Sequence, residues 1–237
     1  MHDTALPVTA RIGVVVFPGT NCEHDAVRAL QSLGSEADLV WHGCDDLLGV
    51  NAVVLPGGFA HGDYLRPGAI ARFSPVMAAV ERFARDGGPV IGICNGFQVL
   101  TEAGLLPGAL QKNAGLRFLC TMAVIRVERS TSALTNGVAT GVELRIPINH
   151  FEGNYTCDAA TLAQLRDEDR VVFRYVGNPN GSADDIAGVC NVAGNVVGLM
   201  PHPERACDPL LGSADGAVLL RALIESAEAA GRSPRSA

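Results

Sequence analysis

The sequence has little charge, and its charges form no cluster of one sign. Its 237 residues include 18 lysines and arginines against 25 aspartates and glutamates, a formal net charge of −7, and the basic residues are scattered. Because nucleic-acid-binding domains carry basic patches, we expect no nucleic-acid partner. Only 18% of the residues are charged whereas 48% are hydrophobic. This composition excludes a disordered or fibrous chain and indicates a globular protein.

The sequence also has little that indicates a membrane span or a disulfide framework. An uncharged stretch over residues 87–101 is interrupted by glycines, a proline and two amides, and it is too short to cross a bilayer. The first ten residues lack the basic start and apolar core of a secretory signal. The seven cysteines are widely spaced and include no CxxC pair, which argues against disulfides and against a metal site. We therefore expect no membrane partner and a cytoplasmic protein with reduced thiols.

What the first hundred residues do contain is an alternation of strand and helix patterns. Near-continuous apolar runs, closed by glycine or proline, predict buried strands, and apolar residues three or four positions apart predict helices between them. The predicted helices begin near His24 and after Ser74, and the predicted strands are 11–17, 36–41, 52–55 and 89–93. Such an alternation is typical of an α/β fold, with a parallel sheet covered by helices on both faces.

After Gly104 the pattern changes to short strands separated by turn-rich segments. They are predicted at 122–128, 144–149, 171–175, 186–191 and 196–200, with a hairpin turn signal at Asn180-Gly181. A last helix is predicted from near Ser213 to about Ala230. We expect a single α/β domain over residues 11–228, with a mostly parallel central sheet and added short antiparallel strands. A flexible extension (1–10) and a frayed tail (229–237) are expected at its ends.

The most specific local motif places Cys94 between a predicted strand and a short helix, in the sequence Gly92-Ile93-Cys94-Asn95-Gly96. Glycines two residues to either side of a nucleophile allow the tight strand-to-helix turn called a nucleophile elbow. The free N–H groups at the start of the helix favour a thiolate and a developing oxyanion. The alternative is that Cys94 is buried and unreactive, as we assume for the other six cysteines.

A thiol of ordinary pKa is only about 3% ionised at pH 7, so Cys94 needs a base. Among the six histidines, His202 has the most suitable setting, because it follows a predicted strand in the segment Pro201-His202-Pro203-Glu204. In an extended chain alternate side chains share a face, so Glu204 can orient the imidazole ring. We predict a Cys94-His202-Glu204 catalytic triad. The segment by itself also fits a surface turn.

A glycine turn at the end of the strand 52–55 supplies a candidate oxyanion hole. The backbone N–H of Gly58 can approach a tetrahedral oxygen without a side chain in the way, and the N–H of Asn95 is the second predicted donor. Taken alone, Pro56-Gly57-Gly58 is no more than a turn. We expect this hole to be incompletely formed in the isolated chain, because glycine-rich turns change conformation easily.

With these three motifs, the sequence resembles the class I, or triad, glutamine amidotransferases. Within that family it is most similar to the glutaminase subunits of phosphoribosylformylglycinamidine synthase. The resemblance covers about residues 11–226, and the elbow alone would also fit relatives in other pathways. The segments that carry the narrower resemblance are FPGTNCEHD (17–25), GGFAHGDYLRPGAIAR (57–72), NGFQVLTEAGLLPGAL (95–110), NHFEGNY (149–155) and NPNGS (178–182).

The resemblance implies a mechanism for the predicted triad. Cys94 attacks the side-chain amide of L-glutamine, His202 passes a proton to the departing ammonia, and Glu204 orients His202. Water then hydrolyses the γ-glutamyl thioester.

The resemblance also implies residues that hold the substrate. Gln98, four residues beyond the nucleophile, is expected to bind the α-amino-acid end of glutamine. Three consecutive residues, Asn149, His150 and Phe151, are expected to contact the same end, with His150 also open to a structural role.

Partners follow from the resemblance as well. Ammonia is expected to pass to a large synthetase subunit, with a small bridging subunit, which uses ATP and magnesium to convert formylglycinamide ribonucleotide to formylglycinamidine ribonucleotide in de novo purine biosynthesis. No cofactor is expected in this chain, which has no phosphate-binding P-loop and one lysine, Lys112. Two other classes stay open: a stand-alone cysteine hydrolase of γ-glutamyl substrates, and a non-catalytic assembly subunit.

Overall fold

A computed structural model of the chain describes residues 9–232, and strands make up its centre. Within this range there are eleven strands and five α-helices. The strands are β1 (Arg11–Val16), β2 (Glu36–Trp41), β3 (Ala52–Leu55), β4 (Val90–Ile93), β5 (Ala109–Gln111), β6 (Leu119–Val127), β7 (Glu143–His150), β8 (Asn154–Thr156), β9 (Val171–Val176), β10 (Ile186–Cys190) and β11 (Val196–Leu199). The helices are α1 (Glu23–Ser32), α2 (Pro75–Arg85), α3 (Asn95–Glu102), α4 (Ala159–Asp167) and α5 (Gly216–Arg232).

Nine of these strands form one sheet, in the order β2-β1-β3-β4-β11-β10-β9-β6-β7. The first five strands in this order are parallel to one another, and each later neighbour is antiparallel. In the middle of the sheet, Gly92 of β4 lies opposite Leu55 of β3 and Gly198 of β11. The predicted α/β fold with a mostly parallel sheet and added antiparallel strands is confirmed.

The central strands are apolar because they are covered on both faces. Every residue of β3, β4 and β11 is buried. The helices α1 and α5 pack against each other and against β1, whereas α3 packs against β3, β4 and β11. Strands buried on both faces read as continuous hydrophobic runs, and that is why their positions were predictable from the sequence.

The predicted and observed bounds agree closely in the parallel half, where β2 and β3 match in full. In the antiparallel half, β6 begins at Leu119, three residues before the predicted start, because its first residues pair with the end of β7. The sequence analysis missed α4 and the small β5-β8 sheet. Asn180-Gly181 lies in a nine-residue connection between β9 and β10, not in a two-residue hairpin turn.

The ends of the described range differ slightly from the predicted domain 11–228. Ala10 is buried, and its carbonyl accepts a hydrogen bond from the Glu36 N–H. At the other end α5 begins at Gly216 and continues to Arg232, two residues past the predicted Ala230. Residues 1–8 of the predicted extension and 233–237 of the predicted tail lie outside the described residues.

The directions of the strands show where a functional site can form. The carboxyl ends of β1, β3, β4, β7 and β11 all lie at the same edge of the sheet, given their directions. Open α/β sheets bind ligands at this edge. In addition, no helix within residues 9–232 has the length and apolar character needed to span a bilayer.

Candidate active site

Cys94 lies at the tight turn between β4 and α3. Its backbone has φ 50° and ψ −105°, a conformation that a residue with a side chain adopts only under strain. A Cβ atom on Gly96 would collide with the Leu55 carbonyl, and one on Gly92 would lie 2.6 Å from the Gly96 carbonyl oxygen. The two flanking glycines are therefore required by the closeness of neighbouring backbone, as the elbow motif predicts.

His202 and Glu204 form a buried pair beside this elbow. The Nδ1 atom of His202 lies 2.6 Å from Oε1 of Glu204, and both side chains are almost fully buried. The prediction that the segment is extended is wrong, because Pro203–Arg205 form one turn of 3-10 helix. The two side chains nevertheless face each other, with the His202 backbone N–H anchored to the Pro147 carbonyl.

The charge state of His202 follows from its neighbours. Burial alone lowers its pKa, but the Glu204 carboxylate and the Cys94 sulfur outweigh burial, so the pKa of His202 lies well above its ordinary value. Its Nε2 atom is buried and has no hydrogen-bond partner among residues 9–232. With Nδ1 occupied by Glu204, Nε2 is the nitrogen left to exchange a proton with a substrate or a thiol. An imidazolium of raised pKa stabilises a nearby thiolate.

The glycine turn after β3 lies directly against these side chains. Gly58 has φ +145°, and a Cβ there would lie 2.7 Å from the Asn21 backbone nitrogen. A Cβ on Gly57 would lie 2.7 Å from Cε1 of His202 and 3.0 Å from Sγ of Cys22. Only glycine fits at either position. The oxyanion role of the Gly58 and Asn95 N–H groups stays a prediction.

The structure brings seven of the nine predicted site residues to one pocket of about 70 Å³. The other two, Asn95 and Glu204, are buried and contact the pocket residues Gln98 and His202 respectively. A much larger cleft of about 970 Å³ lies between α1, β6 and β7, and two of the nine predicted residues, Asn149 and Glu204, line it. Most of the predicted residues are therefore gathered around the smaller space. The seven residues of the pocket are Gly58, Cys94, Gln98, Asn149, His150, Phe151 and His202.

Gln98 is already held by hydrogen bonds within the protein. Its Oε1 accepts a bond of 2.8 Å from Asn95 Nδ2, and its Nε2 donates a bond of 2.5 Å to the Glu152 carbonyl. The same Asn95 side chain accepts from the Ala60 N–H and donates to the carboxylate of Asp63. Gln98 thus links α3 to the segment after β7. Its predicted contact with substrate stays a prediction.

Asn149 and His150, both predicted to contact the substrate, lie in different environments. The carbonyl oxygen of Asn149 lies 3.8 Å from Cys94 Sγ, so this backbone faces the predicted nucleophile. His150 instead turns inward, where its Nδ1 lies 3.1 Å from Asn113 Oδ1. Burial, and next the positive charge of His202, lower the pKa of His150 to about 4, so this ring is neutral near pH 7. Asn113 also bonds the carbonyls of His150 and Phe151, which fixes the segment.

Cys22, predicted from the sequence to be an unreactive core residue, lies in the site. The side chain is buried and lines the same pocket as Cys94. The Cys22 sulfur lies within 4.8 Å of a ring nitrogen of His202 and of a carboxylate oxygen of Glu204. Arg205 donates a hydrogen bond of 3.2 Å to the same sulfur. The signal was present in the sequence, because Cys22 follows β1 at the same sheet edge as the other strand ends.

Together, this fold and this site are typical of one class of enzyme: an α/β protein with a cysteine at the elbow between β4 and α3 and a buried His-Glu pair beside it. A comparison with protein families agrees, since residues 9–215 match the family described as "CobB/CobQ-like glutamine amidotransferase domain". The chain belongs to this family. The predicted resemblance to glutamine amidotransferases is confirmed.

Individual relatives indicate a narrower group of proteins within this family. The chain is 61% identical over 218 residues to phosphoribosylformylglycinamidine synthase subunit PurQ of Rubrobacter xylanophilus, covering 92% of this chain and 99% of the relative. It is 52% identical over 224 residues to the protein of the same name from Koribacter versatilis, covering 90% of this chain and 97% of the relative.

Solved structures give the same picture. A chain in the structure of PurLQS from Thermotoga maritima matches with a TM-score of 0.85 and 42% identity, covering 92% of this chain and 99% of that one. A putative GMP synthase protein from Thermoplasma acidophilum matches with a TM-score of 0.64 and 17% identity, covering 94% and 96%. At that identity the second match shows the shared fold alone.

Proposed function

We infer that the chain is the glutaminase subunit of phosphoribosylformylglycinamidine synthase. It releases ammonia from L-glutamine and works with two partners, a synthetase subunit together with a small subunit. The observation that carries this inference is the near-complete coverage of relatives named as this subunit, at 61% and 52% identity. The Thermotoga maritima match supports the partners, since that structure is named PurLQS, an assembly of PurL, PurQ and PurS type.

The chemistry we propose starts from the Cys94 thiolate. It attacks the side-chain carbonyl carbon of glutamine, and the N–H groups of Gly58 and Asn95 stabilise the resulting oxyanion. His202 gives its proton to the leaving nitrogen, so ammonia departs and a γ-glutamyl thioester remains on Cys94. His202 then takes a proton from water, which attacks the thioester and releases L-glutamate. The contact of 2.6 Å between His202 and Glu204 supports this assignment of roles.

We propose that this chain needs no cofactor or metal ion of its own, and that ATP and magnesium act on the synthetase subunit. Within residues 9–232, Cys22, His202 and Glu204 are the one group with ligand atoms close enough to chelate a metal. A metal ion there would occupy the histidine that the reaction needs as a base. For location we propose the cytoplasm, which the seven unpaired cysteines support.

The test is glutamate release from L-glutamine by the purified chain, alone and with the synthetase, the small subunit, ATP and formylglycinamide ribonucleotide. We expect the rate to rise many-fold with the partners and to be abolished by Cys94→Ala. Cys44→Ala is the matched control, because Cys44 is half-buried in a turn after β2 and does not line the pocket. Fast hydrolysis without partners would indicate a stand-alone hydrolase. A fully active Cys94→Ala variant would show that Cys94 is not the nucleophile.

A further inference from the structure

Apart from His150 and His202, the charged side chains that line the small pocket are acidic. Asp63 and Glu152 are among its lining residues, and no lysine or arginine is. L-Glutamine is a zwitterion, with an α-ammonium and an α-carboxylate group at one end. Since Cys94 and His202 mark the position of the side-chain amide, the charged end lies against the remaining wall. The positive group of the substrate then has two candidate partners in the pocket.

Other groups in the pocket show that it is built for a ligand. His202 is only 1% exposed, and its Nε2 atom lacks a hydrogen-bond partner in the described part of the chain. It lines the pocket together with Cys94, Asp63 and Gln98. A buried nitrogen without a partner is costly unless a ligand or reaction uses it. The acidic wall therefore belongs to a binding site and not merely to a solvated surface.

Asp63 is held in place by donors from two directions. Asn95 Nδ2 lies 3.2 Å and 3.4 Å from its two carboxylate oxygens, and the Gly68 backbone N–H also donates to it. Asn95 follows the nucleophile directly, so the position of this carboxylate is tied to the elbow. Asp63 takes part in none of the ion pairs found within residues 9–232.

Glu152 differs from Asp63 in this respect. Its backbone carbonyl accepts the bond from Gln98, but its carboxylate receives no hydrogen bond from the described residues. A long side chain without fixed donors loses more conformational entropy on binding than a short one already in position. Burial raises the pKa of Asp63, and the charge of Glu152 raises it further, against the donation from Asn95 and Gly68. A cation bound beside Asp63 would act in the opposite direction to burial, because it favours the charged carboxylate.

We propose that Asp63 binds the α-ammonium group of L-glutamine and makes the pocket specific for substrates that carry it. This assignment rests on the proposed glutaminase function and names a residue that the motif analysis did not single out. Asn95 acts here through its side chain, by orienting the Asp63 carboxylate. Glu152 adds negative charge nearby without a direct bond.

The experiment compares L-glutamine with glutaramate, which is glutamine without its α-amino group, in the assembled complex. The measured quantities are KM and kcat for glutamine and the competitive inhibition constant of glutaramate. Asp63→Asn is expected to raise the KM for glutamine about 10- to 100-fold, the usual effect of losing a bond to a charged group. The inhibition constant of glutaramate is expected to change much less, so the preference for glutamine shrinks by a similar factor.

Two further variants test whether the preference for glutamine depends on the negative charge at position 63 or on the other carboxylate in the pocket. Asp63→Glu keeps the charge and is expected to recover part of the preference, and Glu152→Gln, the matched control, is expected to retain most of it. Equal weakening of both compounds by Asp63→Asn would indicate a structural role and overturn the proposal, as would loss of the preference in Glu152→Gln alone. Absence of any glutamine hydrolysis by the unmodified complex would instead overturn the proposed function itself.

Discussion

At the residue scale, the site depends on a buried histidine with a carboxylate on one side and two sulfur atoms nearby. Glu204 fixes Nδ1 of His202 at 2.6 Å, while Cys94 and Cys22 both contribute to its raised pKa. Cys22 is in turn bonded by Arg205, which also pairs with Asp25 of α1 at 3.2 Å. Cys22 therefore connects the triad to a charged pair outside the pocket.

Replacing Cys22 is expected to change the pH dependence of the glutaminase reaction. The contact with Cys22 raises the pKa of His202, so Cys22→Ala lowers that pKa. Activity depends on protonated His202 to release ammonia, and it is lost as pH rises through the pKa of this group. The alkaline limb of the rate profile is therefore expected to move to lower pH.

The measurement is kcat against pH in the assembled complex, with Cys44→Ala as control. Cys22→Ser keeps a polar group at the position and is expected to give a smaller shift than Cys22→Ala. An unchanged alkaline limb in Cys22→Ala would show that Cys22 does not act on His202.

Site residues that form a pattern with near neighbours in the sequence were predictable, whereas residues that meet only through distant segments of the chain were not. Cys94 with its glycines, and His202 with Glu204, are local patterns, so the sequence was sufficient to single them out. Cys22 and Asp63 reach the pocket only through the arrangement of β1, the turn after β3 and α3. Such contacts depend on tertiary structure, and the sequence indicates them only through the position of Cys22 after β1 and of Asp63 after β3.

At the element scale, the elbow depends on the close approach of α3 to β3 at Gly96. Gly96 lies at the start of α3, where an added Cβ would overlap the Leu55 carbonyl of β3. That carbonyl is backbone in a central strand and cannot move aside cheaply. The helix can approach the strand this closely only with glycine, and the approach sets the position of Cys94.

Gly96→Ala is expected to destabilise the protein by about 1–3 kcal/mol, the usual cost of overpacking, and to lower glutaminase activity strongly. Gly115→Ala is the matched control, since a Cβ there would meet nothing within 4 Å. Its effect on stability is expected to stay within about 0.5 kcal/mol. Urea unfolding of the two variants and the unmodified chain measures both values. Equal stability of the Gly96 and Gly115 variants would show that the elbow is not tightly packed.

The elements that the sequence did not predict share a physical feature. The helix α4 buries only Leu165, and β5 and β8 are three residues long, so neither gives a strong apolar period. A capping signal was nevertheless present, because the Asp158 side chain accepts the Thr161 N–H at the start of α4. The buried parallel strands, by contrast, had to be apolar throughout.

At the scale of the whole molecule, the sheet gathers the ends of five strands that are far apart in sequence. The proposed nucleophile follows β4, the histidine and glutamate follow β11, and the glycine turn follows β3. The same fold occurs in a chain only 17% identical, so the architecture does not by itself select a partner. The assignment to one synthetase rests instead on relatives matched along nearly their full length.

The central claim is that Cys94, among seven cysteines, is the nucleophile that takes the γ-glutamyl group. The most direct test treats the assembled complex with a glutamine-analogue diazo-ketone and maps the modified cysteine by peptide mass spectrometry. Cys120 is exposed whereas Cys94 is only 6% exposed, so simple accessibility favours Cys120. We expect the reagent to modify Cys94 alone, and we expect excess L-glutamine to prevent this modification. Modification of Cys120 or Cys22 with Cys94 untouched would contradict it.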